Sequence, residues 1–240
     1  MSRVARRSAK LARYEELRAQ RPHLFENPDG GAYEILFDRA DQDHVSDETA
    51  AALREQGKLE EYGDIGVAYE DPYFIVVRDA VRFPSGRRGA YVRFMGADPG
   101  TNAAVLPLLA DGRVLLVRHF RHGSRQWHWE IPRGFSPPGA DGATTARQEM
   151  LEETGVCVND VLLLGRVCTD ADFDEIYLAS LPAGSADGLV RTADAAEEGI
   201  DEVRLVTLGE LNRMMTDGEI DDMYLLSAYA LATAKGLLKP

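Results

Sequence analysis

The chain has 240 residues, enough for one large domain or for a domain with an extension, and at 45% hydrophobic and 28% charged its composition is that of an ordinary globular protein. No apolar run approaches the roughly 18 residues that a membrane span needs. The net charge of −13 argues against a nucleic-acid-binding surface except locally. It leaves a nucleotide substrate open, because bound cations offset phosphate charge.

Charge is uneven at the N-terminus, where residues 1–21 carry seven Lys or Arg against Glu15 and Glu16. Leu11, Tyr14 and Leu17 recur there at helical spacing, beside Arg3, Arg6, Arg7, Lys10 and Arg13. A helix of this kind lies on a membrane surface or a polyanion, packs on the acidic body or a partner subunit, or frays. Nothing in it reads as a signal peptide, since an apolar core segment is missing. A second helix is predicted over residues 47–53, and no catalytic pattern occurs in the first 60 residues. Residues 73–83 alternate in part and lead through Pro84-Ser85-Gly86 into 91–95, a hairpin signal. Residues 103–109 and 113–118 form a second hairpin around Asp111-Gly112, a favoured two-residue turn.

A strand follows over 127–131. Trp127 and Trp129 flank His128 on it and so share one face, either stacking on a base or packing in the core. His119 and His128 read as structural rather than as ligands. Pro137, Pro138, Gly139 and Gly142 then crowd a loop that cannot be regular structure. The helix after it is capped either by a box of Thr145 and Gln148 or by Asp141. Glu149, Glu152 and Glu153 stand at i, i+3 and i+4 on this helix, so their carboxylates share one face. Alone they read most simply as a solvated acidic face. A hard divalent cation would convert their mutual repulsion into a binding site. Gly155 suits the left-handed position that closes a helix.

Further strands are predicted over 158–167, 175–181 and 203–208, and helices over 208–217 and 223–235. Cys157 and Cys168 sit in apolar stretches with no disulfide or zinc pattern, so buried thiols in a reducing cytoplasm are expected. The mixture of elements predicts the α/β class: an α/β/α sandwich on a mixed sheet. Residues 1–64 would form a mostly helical extension, and 65–240 a domain that begins with the strand hairpin.

From Gly134 onward the chain resembles the Nudix hydrolases. Their box reads Gly, five residues, Glu, seven residues, then Arg-Glu-apolar-x-Glu-Glu-x-Gly-apolar. Gly134, Glu149, Met150, Glu152, Glu153, Gly155 and Val156 fall on it without a gap. Ala140 and Gln148 replace the first Glu and the Arg. Asp141 and Arg147 lie one residue off, and a one-residue step turns a helical side chain by about 100°. Because the two lost groups carry opposite charge, their joint absence leaves no orphan.

The resemblance implies the Nudix fold, Mg²⁺ (or Mn²⁺) as cofactor, and attack by water at phosphorus in a nucleoside diphosphate linked to another group. Glu149 and Glu153 would be the principal metal ligands, with Glu152 contributing and the Arg133 carbonyl as a further ligand. The layout is most similar to that of ADP-ribose pyrophosphatases. Those enzymes are dimers that exchange N-terminal strands, so a homodimer is expected. Their general base usually lies on a late loop, which puts Glu198 forward, with Glu197 and Glu202 as neighbours. Arg121, in Arg118-His119-Phe120-Arg121, would contact a phosphate. Trp127, Trp129, Phe173 and Glu175 are the further substrate-binding candidates. The Pro expected about 15 residues beyond the box is absent from Thr169-Asp170-Ala171-Asp172-Phe173, and Phe173 stands where dinucleoside polyphosphate hydrolases have Tyr. The substrate is therefore ADP-ribose or a nucleotide sugar, or a dinucleoside polyphosphate. A non-catalytic nucleotide sensor is the alternative from outside the enzymes. No nucleic acid or membrane partner is expected.

Overall fold

The basic N-terminal segment folds as helix α1 (Arg3–Gln20), begun by Ser2, whose side chain accepts a hydrogen bond from the Ala5 N–H at 3.3 Å. The computed structural model describes residues 2–97, 100–168, 173–182, 184–185, 189 and 191–238. These fall into two compact units, one drawn from Met1–Ala97 and the other from Asp98–Thr169 and Phe173–Pro240.

In the first unit α1 is followed by β1 (Glu34–Ile35), α2 (Arg39–Glu55), β2 (Gly66–Glu70), β3 (Phe74–Arg82) and β4 (Arg88–Gly96). Strand β3 pairs with β4 along its whole length, from Phe74↔Gly96 to Arg82↔Arg88. On its other edge it takes β2 and the short β1. Tyr14 and Leu17 of α1 share a buried cluster with Ile75, Val77 and Met95 of the hairpin. The Tyr14 hydroxyl donates to Asp79 at 2.5 Å, and Arg93 donates to the same buried carboxylate at 2.6 Å. The basic face of α1 is also spent internally: Arg6, Arg7 and Lys10 surround the fully buried Asp64 at 3.0–3.5 Å. Packing on acidic groups of its own unit is therefore the fate of this helix. Gly66 makes the approach possible, since a Cβ there would stand 2.6 Å from the Lys10 carbonyl oxygen. The shared core gathers the hairpin with the N-terminal helices in the unit that runs to Ala97.

The second unit holds β5 (Ala103–Leu109), β6 (Val114–Arg121), β7 (Gln126–Glu130), β8 (Arg133–Gly134), α3 (Gly142–Thr154), β9 (Val161–Cys168), β10 (Phe173–Leu181), α4 (Ala193–Glu197), β11 (Ile200–Val206), α5 (Leu208–Thr216) and α6 (Met223–Ala234). The sheet order is β11-β6-β5-β10-β9, and β5 and β10 run parallel while the other pairs are antiparallel. This is the mixed sheet of an α/β fold. Side chains alternate between its faces. Leu106, Leu116, Ile176 and Leu178 meet Leu225, Ala228 and Ala232 of α6 together with Leu211 and Met214 of α5. Val105, Tyr177 and Ala179 meet Ala146 and Met150 of α3 on the other face. Burial of Met150 in that layer stabilises by about 1.5–3 kcal/mol.

Two local readings change. The turn at Asp111-Gly112 forms, but β5 and β6 share only the Leu108↔Val114 pair before they part. Into the opened end come β7, paired with β6, and β8, paired with β5. The thiols also differ from expectation: Cys157 and Cys168 are exposed. Cys168 ends β9, the last strand in the sheet, and an edge strand leaves much of its surface to solvent, while Cys157 lies in the connection between α3 and β9.

Candidate active site

The parting of β5 and β6 opens a cleft of about 510 Å³, within the usual size range of small-molecule sites. Helix α3 supplies one wall. Asp141 is its N-cap, accepting from the Thr144 N–H at 2.7 Å, so the Thr145–Gln148 box is not the cap. Gly155 closes the helix at φ 72°, the left-handed value expected of it. Between these caps Glu149 and Glu152 line the cleft, and Glu153 lies behind them, 1% exposed.

Glycine permits the closest approach. A Cβ on Gly134 would stand 2.5 Å from the Glu149 carboxyl carbon, so the carboxylate lies directly on the β8 backbone. The Arg133 N–H donates to the Glu153 carboxylate, tying β8 to α3. Gln148, which stands where the box has Arg, donates to Glu152 at 2.8 Å and so anchors the third carboxylate of the face. Ala140 brings no side-chain bond. Its carbonyl accepts from the Thr101 N–H and the Ser136 hydroxyl, at 3.2 and 3.1 Å.

Glu198 lines the same cleft. It follows α4, whose N-cap Thr192 accepts from the Ala195 N–H at 3.0 Å and donates to the Glu152 carbonyl. Three of the four acids are held against their own charge. Burial, then Glu152 and Glu198, lift the Glu149 carboxyl to about 7. Burial, then Glu149 and Glu198, raise Glu153 well above the usual carboxylate range. Glu198 is also raised, by burial and then by Glu152. Such an arrangement favours protons or a cation.

The opposite charge is fixed by a buried acid. Glu130, 2% exposed, takes both Arg121, through Nε at 2.9 Å and through Nη2, and Arg133, through Nη2 at 3.1 Å. Arg133 also reaches Asp222 at 3.3 Å and stacks over the Tyr224 ring at 4.5 Å. Asp174 receives the Tyr224 hydroxyl and, at 3.1 Å, the Asn102 amide, completing the wall next to α6. His119, Arg121, Arg133, Asp174, Glu198 and Tyr224 thus face Glu149 and Glu152 across one space.

Of the expected site residues, the structure brings Arg121, Arg133, Glu149, Glu152 and Glu198 to the cleft, with Glu153 directly behind. It does not bring Trp127, Trp129, Phe173 or Glu175 there. The reason is strand parity. Trp127 and Trp129 pair with Phe120 and Arg118, so they point to the face opposite His119 and Arg121. Trp129 packs on the core beneath α6, and Trp127 lies exposed between Phe120 and Arg118. Glu175 points toward α3, bonded to Arg166 at 2.9 Å and to the Tyr177 hydroxyl at 2.5 Å. Its neighbour Asp174 faces the cleft instead. Phe173 is exposed at the start of β10. Sequence reasoning missed Asn102, Glu130, Phe135 and Tyr224, singled out the Asp174-Glu175 pair but chose Glu175 from it, and took His119 as structural. An acid in a strand nine residues from an Arg was the one available signal, for Glu130.

A metal site can be tested against these residues. Among the described residues no three carboxylate, thiol or imidazole groups converge as a ready-made cation cage. The donor set nevertheless fits a hard divalent cation. Glu153 Oε2 is buried without a partner, and the neighbouring acids are destabilised as anions. Oxygen donors of this type suit Mg²⁺ or Mn²⁺.

A family model described as the NUDIX domain matches residues 98–227. An ADP-ribose pyrophosphatase of Bacillus subtilis is 27% identical over 151 residues, which is 63% of this chain and 79% of that protein. An RNA pyrophosphohydrolase of Caulobacter vibrioides is 42% identical over 65 residues, covering 27% of this chain and 36% of the relative. Among solved structures, a crystal structure of an ADP compounds hydrolase superposes with a TM-score of 0.54 at 19% identity, covering 71% of this chain and 92% of that one.

Proposed function

The chain belongs to the NUDIX family, and we propose that it hydrolyses a nucleoside diphosphate linked to another moiety, with ADP-ribose or a nucleotide sugar as the substrate class. The observation that carries this reading is the cleft itself, where the acidic face of α3 and Glu198 oppose Arg121 and Arg133. Glu149, Glu152 and Glu153 would hold Mg²⁺ or Mn²⁺ together with the Arg133 carbonyl. A bound divalent cation supplies charge neutralisation on the phosphate oxygens.

The chain's own groups account for the rest. Arg121 engages Glu130 through Nε and Nη2, and its Nη1 has no partner among the described residues, which suits it to one phosphate oxygen. Glu198, whose burial raises its carboxyl above the ordinary Glu range, is suited to take the proton from the attacking water. Thr192 keeps that carboxylate on the α3 side by its bond to the Glu152 carbonyl. Gln148 keeps Glu152 oriented without bringing a charge.

A homodimer and a cytoplasmic location belong to the same proposal. Val92 and Phe94, exposed on one face of β4, offer an apolar surface to a second copy. Among the described residues no helix is long and apolar enough to cross a membrane.

The test is a cleavage assay across ADP-ribose, nucleotide sugars, dinucleoside polyphosphates and an RNA bearing a 5′ polyphosphate, with Mg²⁺ or Mn²⁺ and with Glu153→Gln as control. Turnover that disappears in Glu153→Gln supports the proposal, and preference within the panel names the substrate. Absence of turnover together with tight nucleotide binding would favour the second reading, a nucleotide sensor. That reading is motivated by Ala140 and Gln148 in the box.

A further inference from the structure

Most polar side chains of the cleft wall carry charge or hold a group that does, and His119 is different. This side chain is 6% exposed, yet it forms part of the cleft wall. Its Nδ1 is buried and has no hydrogen-bond partner. The ring bonds to the Glu198 backbone, and its Cδ2 edge is the one turned to Gly199. The nitrogen on that edge is Nε2, so Nε2 carries the proton that a carbonyl accepts. In the neutral ring the remaining nitrogen, Nδ1, is then purely an acceptor. Burial and the nearby Arg121 keep the ring neutral, lowering its pKa to about 4.

A buried acceptor without a donor is uncommon and carries a free-energy penalty until a donor arrives. The groups that line the cleft together with His119 narrow what that donor can be. Phosphate oxygens are themselves acceptors, so they do not satisfy Nδ1. His119 also lies on the same strand and face as Arg121, two residues apart, which spaces them by about 7 Å. A nucleotide with its phosphate on Arg121 can therefore reach His119 with its adjoining sugar, a carrier of hydroxyl donors.

We propose that His119 is a substrate-binding residue whose Nδ1 accepts a hydrogen bond from a sugar hydroxyl of the bound nucleotide. The inference rests on the nucleoside diphosphate reading of the cleft and adds to it a contact that reads the sugar. Deoxy-sugar substrates should then be rejected, because they would leave Nδ1 unpaired.

The experiment measures kcat/KM for ADP-ribose and for analogues each lacking one sugar hydroxyl. Wild type is compared with His119→Phe, which keeps a flat ring without the acceptor. His119→Asn is the conservative variant, since its Oδ1 is as many bonds from Cβ as Nδ1 is. Wild type should disfavour one deoxy analogue by on the order of tenfold or more. His119→Phe should lose that discrimination, mainly through KM, and His119→Asn should recover part of it. Equal discrimination in wild type and His119→Phe overturns the proposal. So does a fall in kcat alone with discrimination intact, which would put the ring on the attacking water. Should His119→Phe not fold, His119→Leu takes its place, and a wild type indifferent to every hydroxyl overturns the proposal without any variant. Failure of folded wild type to cleave any nucleoside diphosphate overturns the functional reading and this contact together, whereas cleavage without sugar discrimination overturns the contact alone.

Discussion

Replacing Gly134 by alanine separates the acidic site from the fold that carries it. Gly134 is not among the glycines with positive φ, so its backbone accepts an L side chain without conformational strain. Space is the obstacle. The new Cβ would stand 2.5 Å from the Glu149 carboxyl carbon and 2.6 Å from Oε2, where ordinary contact begins at 3.4 Å. The carboxylate must therefore retreat by about 1 Å, a shift that can cost on the order of a hundredfold in rate when the group positions reactants. Because the clash falls on the end of a flexible side chain, the fold should lose only the cost of an off-rotamer Glu149, about 0.5–1.5 kcal/mol. Gly134→Ala should thus unfold in urea close to wild type, while its kcat and its Mg²⁺ affinity, measured by calorimetry, both collapse. Wild-type turnover and cation affinity would refute the claim that this carboxylate works where it lies. Destabilisation beyond about 3 kcal/mol, the upper end for overpacking, would refute the separation, showing that Glu149 cannot yield.

Glu130→Ala should destabilise by about 3–5 kcal/mol in urea titration, since it strands two guanidinium groups that share one buried acid; a loss under 1 kcal/mol would mean that the ion cluster is not what orders this wall. Thr192→Val removes both the α4 cap and the bond to the Glu152 carbonyl. It should cost about 1 kcal/mol of stability and lower kcat far more than KM, and a pure KM effect would detach Glu198 from the chemistry. Glu149 titrates at about 7 in the folded chain, above the 4.5 of an ordinary Glu. The metal-free fold therefore holds a proton that the unfolded chain has released, and the resulting penalty grows as pH rises from about 4.5 through 7, to at most about 3 kcal/mol. In EDTA, wild type should lose more Tm between pH 5 and pH 8 than Glu149→Gln does, and Mg²⁺ should restore it at pH 8 but not at pH 5; parallel Tm curves for the two proteins would contradict this. Phe94→Glu should convert a dimer to a monomer in light scattering, and an unchanged mass would remove that face from the interface.

What could be read from the sequence was whatever depends on one element's own geometry. The i, i+3, i+4 spacing of Glu149, Glu152 and Glu153 fixes a common face on any helix, and Gly155 and Asp141 mark its ends by local backbone rules. Parity along β7 is equally local, and it does put Trp127 and Trp129 together. What it cannot say is which face becomes the cleft, because that is set by the pairing of β6 with β7 and by the side on which α3 lies. The same ambiguity chose Glu175 over Asp174, adjacent residues on opposite faces. Glu130, Asn102 and Tyr224 were invisible for a stronger reason: their roles exist only where strands part and α6 crosses the opening. Burial is non-local in the same way, which is why apolar neighbours misled for Cys157 and Cys168 near an edge strand. His119 sits between these cases. Its strand position was readable, but its unpaired nitrogen could be seen only once Arg121, Glu130 and Glu198 had been placed around it.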